Sequence, residues 1–228
     1  MEDLVQKDFA EANRHLLGQR KRLEFMHEAE DKSKKELGPL TYESIDINKM
    51  LLYDNFFAGI HNQEKLQDLL FALNKIKKDN KTKVPLLLKV SPDIRDDQIS
   101  EIASLATKND ISAIILANTT SGNRDNLVSE NKKEEGGLSG EPIQQLSTNM
   151  IKKFYKQLNG KISIIGVGGV NSGKSAYEKI MAGASLLQLY TSFIFRGPSA
   201  AKDIKKELIQ ILKAEGIKNI EDAVGKGI

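Results

Sequence analysis

The sequence predicts an α/β fold built on parallel strands, and three observations predict it. Short apolar runs, "PLLLKV", "AIILA", "SIIGV" and "SLLQL", recur between Val84 and Thr191 with helical patterns between them. The runs are apolar throughout rather than alternately, as in strands covered on both faces by crossover helices. Polar or glycine-rich residues follow each run: Lys89-Val90-Ser91-Pro92, Asn118-Thr119-Thr120, Gly168-Gly169 and Tyr190-Thr191. An open doubly wound sheet and part of a (β/α)8 barrel both make this pattern, and in both the ligands gather at the carboxyl ends of the strands.

Residues 1–61 form one segment and residues 62–228 another. Residues 1–36 are charged and carry Leu4, Val5, Phe9, Ala12, Leu16, Leu17, Leu23 and Met26 at roughly helical spacing, which predicts an amphipathic helix or helix pair. Residues 37–61 mix strand-like and irregular signals around the break at Gly38-Pro39. From Asn62 the texture becomes regular. "QEKLQDLLFALNKIKK" is a helix by its face of Leu66, Leu69, Leu70, Leu73 and Ile76, and "VPLLLKVS" is a buried strand. A helix over 97–108 leads to the strand "ISAIILAN"; a polar loop then precedes the helix "PIQQLSTNMIKKFYKQL". "KISIIGVG" is the third strand, "SGKSAYEKIMAG" a helix, "ASLLQLYT" the fourth strand and "AAKDIKKELIQILKAEG" the closing helix. Four β/α units are thus expected over residues 84–214.

Composition narrows the function classes. The chain has 228 residues, enough for one ordinary domain or part of a larger barrel, with 34 basic and 31 acidic residues and a net charge of +3. The lysines are spread among Glu and Asp, which reads as a solvated surface rather than a nucleic-acid-binding one. There is no cysteine, hence no disulfide, thiolate nucleophile or Cys-ligated metal, and His15, His27 and His61 do not stand at zinc-site spacing; no metal is expected. No apolar run suits a membrane span and the amino-terminal stretch lacks a secretory signal core, so a cytoplasmic protein is expected.

Each candidate site residue has a plain reading beside a functional one. Lys89 interrupts an apolar strand: it either reaches solvent from the strand end or offers a cation to an anionic cofactor or a reduced flavin ring. Asn118-Thr119-Thr120 supplies amide and hydroxyl groups suited to a planar hydrogen-bonding ligand, or simply leads the strand into its loop. The loop from Ser121 to Pro142 is long for a compact α/β unit, where such loops are functional or disordered; its "GGLSGEP" end permits close backbone approach or hinging. Gly166, Gly168 and Gly169 follow a strand and precede a helix starting near Ser172, so their N–H groups and that helix start can face a phosphate. Gly168 through Ser175 also satisfies G-x-x-x-x-G-K-[ST], but no later strand ends in the acid that would hold magnesium, which argues against P-loop chemistry at Lys174.

The stretches "PLLLKVSPD", "NTTSGN…GGLSGEPIQQLST" and "ISIIGVGGVNSGKSAYEKIMAGASLLQLYTSFIFRGP" resemble the carboxyl-terminal half of class 2, quinone-dependent dihydroorotate dehydrogenase, from about Asn62 to the end of the chain. The resemblance implies a partial (β/α)8 TIM barrel with FMN at the strand ends, and oxidation of dihydroorotate to orotate with quinone as acceptor, in pyrimidine synthesis. It implies that Lys89 contacts the flavin, that Asn118 and Thr119 hydrogen-bond the pyrimidine, that Gly140 and the Gly168-Gly169 turn approach FMN by backbone, and that Tyr190 and Thr191 close around its phosphate. One departure is Ala117, where the family usually carries Thr.

The larger departure lies upstream. Where the family has "N-x-S-S-P-N-T-x-G-L", counting back from Gly59 gives "YDNFFAG", with Asp54 at the position of the proton-abstracting serine and Phe56 at an asparagine position; Asn48 of "IDIN" reads as a displaced relic. No counterpart is found for the first barrel strands or for the helices that dock class 2 enzymes peripherally on membranes. The expectation is a truncated or disrupted homologue with impaired catalysis; the alternative is an inactive FMN- or phosphate-binding α/β relic without redox turnover. Half a barrel would also leave open sheet edges and an uncovered apolar interior, which favours self-association.

Overall fold

The computed structural model describes residues 63–228, except 82, 123, 125, 126 and 135. The expectations for residues 1–61, including Asn48, Asp54 and Phe56, lie outside the described residues.

Four strands, β1 (Leu87–Val90), β2 (Ala113–Leu116), β3 (Ser163–Val167) and β4 (Leu186–Gln188), form one sheet in the order β1-β2-β3-β4. Every pairing is parallel. A doubly wound sheet reverses its strand order at a switch point, whereas barrel strands follow one another in sequence. The observed order is therefore that of consecutive barrel strands.

Among the described residues, six α-helices accompany the sheet: α1 (Gln63–Asp79), α2 (Asp96–Lys108), α3 (Gln144–Leu158), α4 (Gly173–Met181), α5 (Thr191–Arg196) and α6 (Ala200–Ala214). The strands are shorter than their apolar runs. Pro85 has no N–H to give a ladder, and β1 begins two residues after it. The fourth run carries the largest correction. "ASLLQLYT" forms a strand only as far as Gln188; Tyr190 is the N-cap of α5 and Thr191 its first residue.

The outer face of the sheet makes the main core. Leu88, Val90, Ile114, Leu116 and Ile164 bury against Ile99, Ile102 and Ala106 of α2 and Ile151, Phe154 and Leu158 of α3. Leu66 and Leu70 of α1 join the same cluster. A second core forms where α4 packs on α6, through Ala176, Ile180, Ile204 and Leu208 with Val170 and Ala223. The expectation of an uncovered inner face holds only at its rim. Ala113, Ile115 and Ile165 are buried in company with Leu87 and Val167, while Leu186 on the edge strand is 61% exposed.

Candidate functional site

The pleat decides where Lys89 stands. Its neighbours Leu88 and Val90 enter the outer core, so Lys89 lies on the inner face, in register with Ile115. It is half-buried and, among the described residues, its ammonium has no hydrogen-bond partner. Asn118 and Thr119 leave the carboxyl end of β2, one half-buried and the other exposed. The Thr119 side chain lies on the backbone of Gly137: a Cβ at Gly137 would stand 2.0 Å from Thr119 Oγ1. That contact explains the second glycine of "GGLSG", immediately before Leu138.

The long loop is tied at its base and within. Thr120 and Leu138 form an isolated antiparallel bridge, with N–H···O distances of 3.0 and 2.7 Å. Inside it, the Arg124 guanidinium donates to the carbonyls of Lys132, Glu134 and Gly136.

Asp93, in the turn after β1, is a residue that the sequence reading passed over. Its carboxylate accepts from the Thr120 hydroxyl, from the Ser121 N–H at 2.9 Å and from the Ser121 hydroxyl at 3.2 Å. It thereby locks the β1 turn to the exit of β2, beside Asn118 and Thr119. The signal was the acid in "SPD", but its partners are 27 and 28 residues away. Asp93→Ala is expected to cost about 1–2 kcal/mol in urea denaturation, because charge-assisted bonds are lost at a partly solvated site. It is also expected to speed tryptic cleavage at Arg124; unchanged stability and cleavage would refute the clamp.

A second group of elements converges one strand further on. The Ser139 hydroxyl lies 3.0 Å from that of Thr191, and a Cβ on Gly140 would meet Thr191 Cγ2 at 2.9 Å. The Ser192 hydroxyl donates to the Val170 carbonyl, and the Arg196 guanidinium to that of Asn171. The glycine turn after β3, the end of the long loop and the start of α5 are thus tied together. In barrels, a phosphate site is frequently formed by the loops after the last two strands and the N-terminus of a short extra helix. Tyr190 is 70% exposed at that N-terminus.

Gly168 and Gly169 have φ of 103° and 73°, conformations that favour glycine. A Cβ on Gly169 would lie 2.4 Å from Gln144 Cβ and 2.6 Å from Gln144 Cα. The glycine requirement at this position is thus accounted for by packing against the start of α3.

The helix start near Ser172 requires a correction. Ser172 and Ser175 cap α4 reciprocally, the Ser175 N–H donating to Ser172 Oγ at 3.2 Å and the Ser172 N–H to Ser175 Oγ at 3.0 Å. The Gly173 N–H donates to Glu207 Oε2 at 2.6 Å. A carboxylate from α6 occupies the place that a phosphate would take in a P-loop, and Lys174 is exposed. The candidate phosphate helix is α5 rather than α4.

The comparisons with known proteins agree with the fold. The dihydroorotate dehydrogenase family profile matches residues 55–212. The chain belongs to the dihydroorotate dehydrogenase family. Relatives include dihydroorotate dehydrogenase (quinone) of Azorhizobium caulinodans, 43% identical over 159 residues, covering 70% of this chain and 45% of the relative. The mitochondrial dihydroorotate dehydrogenase (quinone) of Arabidopsis thaliana is 46% identical over 143 residues, covering 62% of this chain and 31% of the relative. The crystal structure of DHODH from Eimeria tenella in complex with ferulenol superposes with a TM-score of 0.67 at 35% identity, over 73% of this chain and 49% of that one. The chain spans about half the length, or less, of the relatives that it matches. Among the described residues, no helix is long and apolar enough to cross a membrane and no cluster of His, Cys, Asp or Glu could hold a metal ion.

Proposed function

We propose that this chain carries the FMN- and pyrimidine-binding side of a quinone-dependent dihydroorotate dehydrogenase, which oxidises dihydroorotate to orotate. The observation that supports this most is the convergence of Gly140, the Gly168-Gly169 turn and the start of α5 beyond the carboxyl ends of consecutive parallel strands. The residues suit a flavin mononucleotide. Ile115 and Ile165 make an apolar floor with the Lys89 cation in the same layer, and the first-turn N–H groups of α5 stand near the glycine turn.

FMN, when bound, supplies two-electron chemistry that side chains lack. Lys89 would hold and polarise its ring, and Gly140, Gly168, Gly169, Tyr190 and Thr191 would hold its phosphate end. Asn118 and Thr119 would orient the pyrimidine through amide and hydroxyl hydrogen bonds. Removal of the C5 proton requires a base within hydrogen-bond reach. The family serine for that step is replaced by Asp54 in the sequence register, and we propose that this chain alone binds FMN with impaired turnover. Leu186, Phe193, Ile194 and Phe195, exposed around the β4 edge, support association through that rim.

The test is purification followed by absorbance and an assay of dihydroorotate-dependent quinone reduction. A yellow protein with little or no turnover is the expected result, and a colourless folded protein would refute the FMN reading. Full turnover would overturn the impairment. Lys89→Met is expected to weaken FMN binding about tenfold or more, through loss of one charged contact.

A further inference from the structure

Lys179 is a buried cation that the proposed chemistry does not use. It lies on α4 with 0% exposure. Its ammonium donates to the Ser147 hydroxyl, to Thr148 Oγ1 at 3.0 Å and to the Gln144 carbonyl at 3.3 Å, so its hydrogen bonding is complete. All three acceptors are neutral groups of the first turns of α3. Ser147 in turn donates to the Gly168 carbonyl at 3.1 Å. A two-step chain therefore runs from the buried ammonium to the glycine turn.

Among the described residues, no acid pairs directly with it. Glu178, on the same helix, accepts instead from Gln144 Nε2 at 2.9 Å. From α6, Glu207 is engaged at the Gly173 N–H and stands 3.7 Å from Arg196. Strand β4 offers no ionisable residue and α3 has no acid in its first turn. The positive end of α3 and the Lys179 ammonium add to one another behind Gly168. A charged side chain without a contacting counter-ion is costly to bury, and such groups are retained where they serve a site.

We propose that Lys179 is a positioning residue for the phosphate end of the cofactor: through Ser147 it orients the Gly168-Gly169 turn, and its charge is balanced by the bound phosphate. This rests on the FMN reading above. Burial lowers the lysine to about 8, with Glu178 opposing the shift. In the flavin-free protein the charge is therefore lost as pH rises through about 8, and a bound dianion would raise that value again. Affinity for the phosphate ester should accordingly fall above about pH 8.

The experiment compares FMN with riboflavin, which carries the same ring without the phosphate, by flavin fluorescence from pH 6.5 to 9.5. For the wild-type chain, FMN should bind more tightly than riboflavin, and the ratio should narrow above about pH 8. Lys179→Met should weaken FMN on the order of tenfold while leaving riboflavin within about threefold, and should flatten the pH dependence of the ratio. Thermal melts should show Lys179→Met somewhat less stable than wild type near pH 7, because Ser147 Oγ, Thr148 Oγ1 and the Gln144 carbonyl lose a buried donor, and the riboflavin control separates that loss from the effect on the phosphate. Ser147→Ala, which keeps the lysine, should weaken FMN several-fold and retain the pH dependence. Equal losses for both flavins, or an unchanged FMN to riboflavin ratio, would overturn the proposal while leaving the FMN reading intact. No FMN binding by the wild-type chain would overturn both.

Discussion

Gly169→Ala is expected to destabilise the protein by about 2–5 kcal/mol in urea denaturation and to abolish FMN retention. Two costs combine. The residue has φ of 73°, where a side chain meets its own backbone, at a cost of about 1–2 kcal/mol. Its Cβ would also stand 2.6 Å from Gln144 Cα and 3.0 Å from Gln144 N, backbone atoms at the start of a helix that cannot swing aside. Relieving that overlap means moving either the turn or α3, at a further cost of about 1–3 kcal/mol. Gly160→Ala is an internal control, with φ of 74° and nothing within 4 Å of the added carbon. It should show the conformational cost alone. Equal losses at the two positions would refute the packing argument.

Phe154→Ala is expected to cost about 3–5 kcal/mol and to lower the melting temperature correspondingly. The ring is fully buried on α3 in the cluster that joins α2 and α3 to the outer face of the sheet. Truncation would leave a cavity that helices held on both sides cannot close. Phe195→Ala removes the same atoms from a ring that is 83% exposed and should stay within about 0.5 kcal/mol of wild type. Comparable losses for the two variants would contradict the assignment of the core.

These paired cases show where legibility ended. Phe154 sits in the expected helix "PIQQLSTNMIKKFYKQL", and the structure buries it. Phe195 lies just beyond "ASLLQLYT", which the sequence reads as one strand up to Thr191. That run is two elements because α5 is held by Ser192 to Val170 and Arg196 to Asn171, bonds that span 22 and 25 residues. Lys174 and Lys179 make the same point within one helix. The G-x-x-x-x-G-K-S match drew attention to Lys174, which is exposed, whereas the buried cation is Lys179. Nothing local separates the two; the packing of α4 against α3 does.

The strand runs, the helix patterns and the polar residues beyond each strand depend on neighbours within one or two turns of chain, and the sequence alone determined them. It also carried the family motifs, and with them Lys89, Asn118, Thr119, Gly140, Gly168, Gly169, Tyr190 and Thr191 as candidates. Tertiary structure alone decided that Asp93 clamps two loops, that Glu207 fills the start of α4, and that α5 stands at the glycine turn. Those contacts join residues 22 to 34 positions apart. Such pairs meet only after the parallel strands align and the helices pack across them, so no local pattern encodes them.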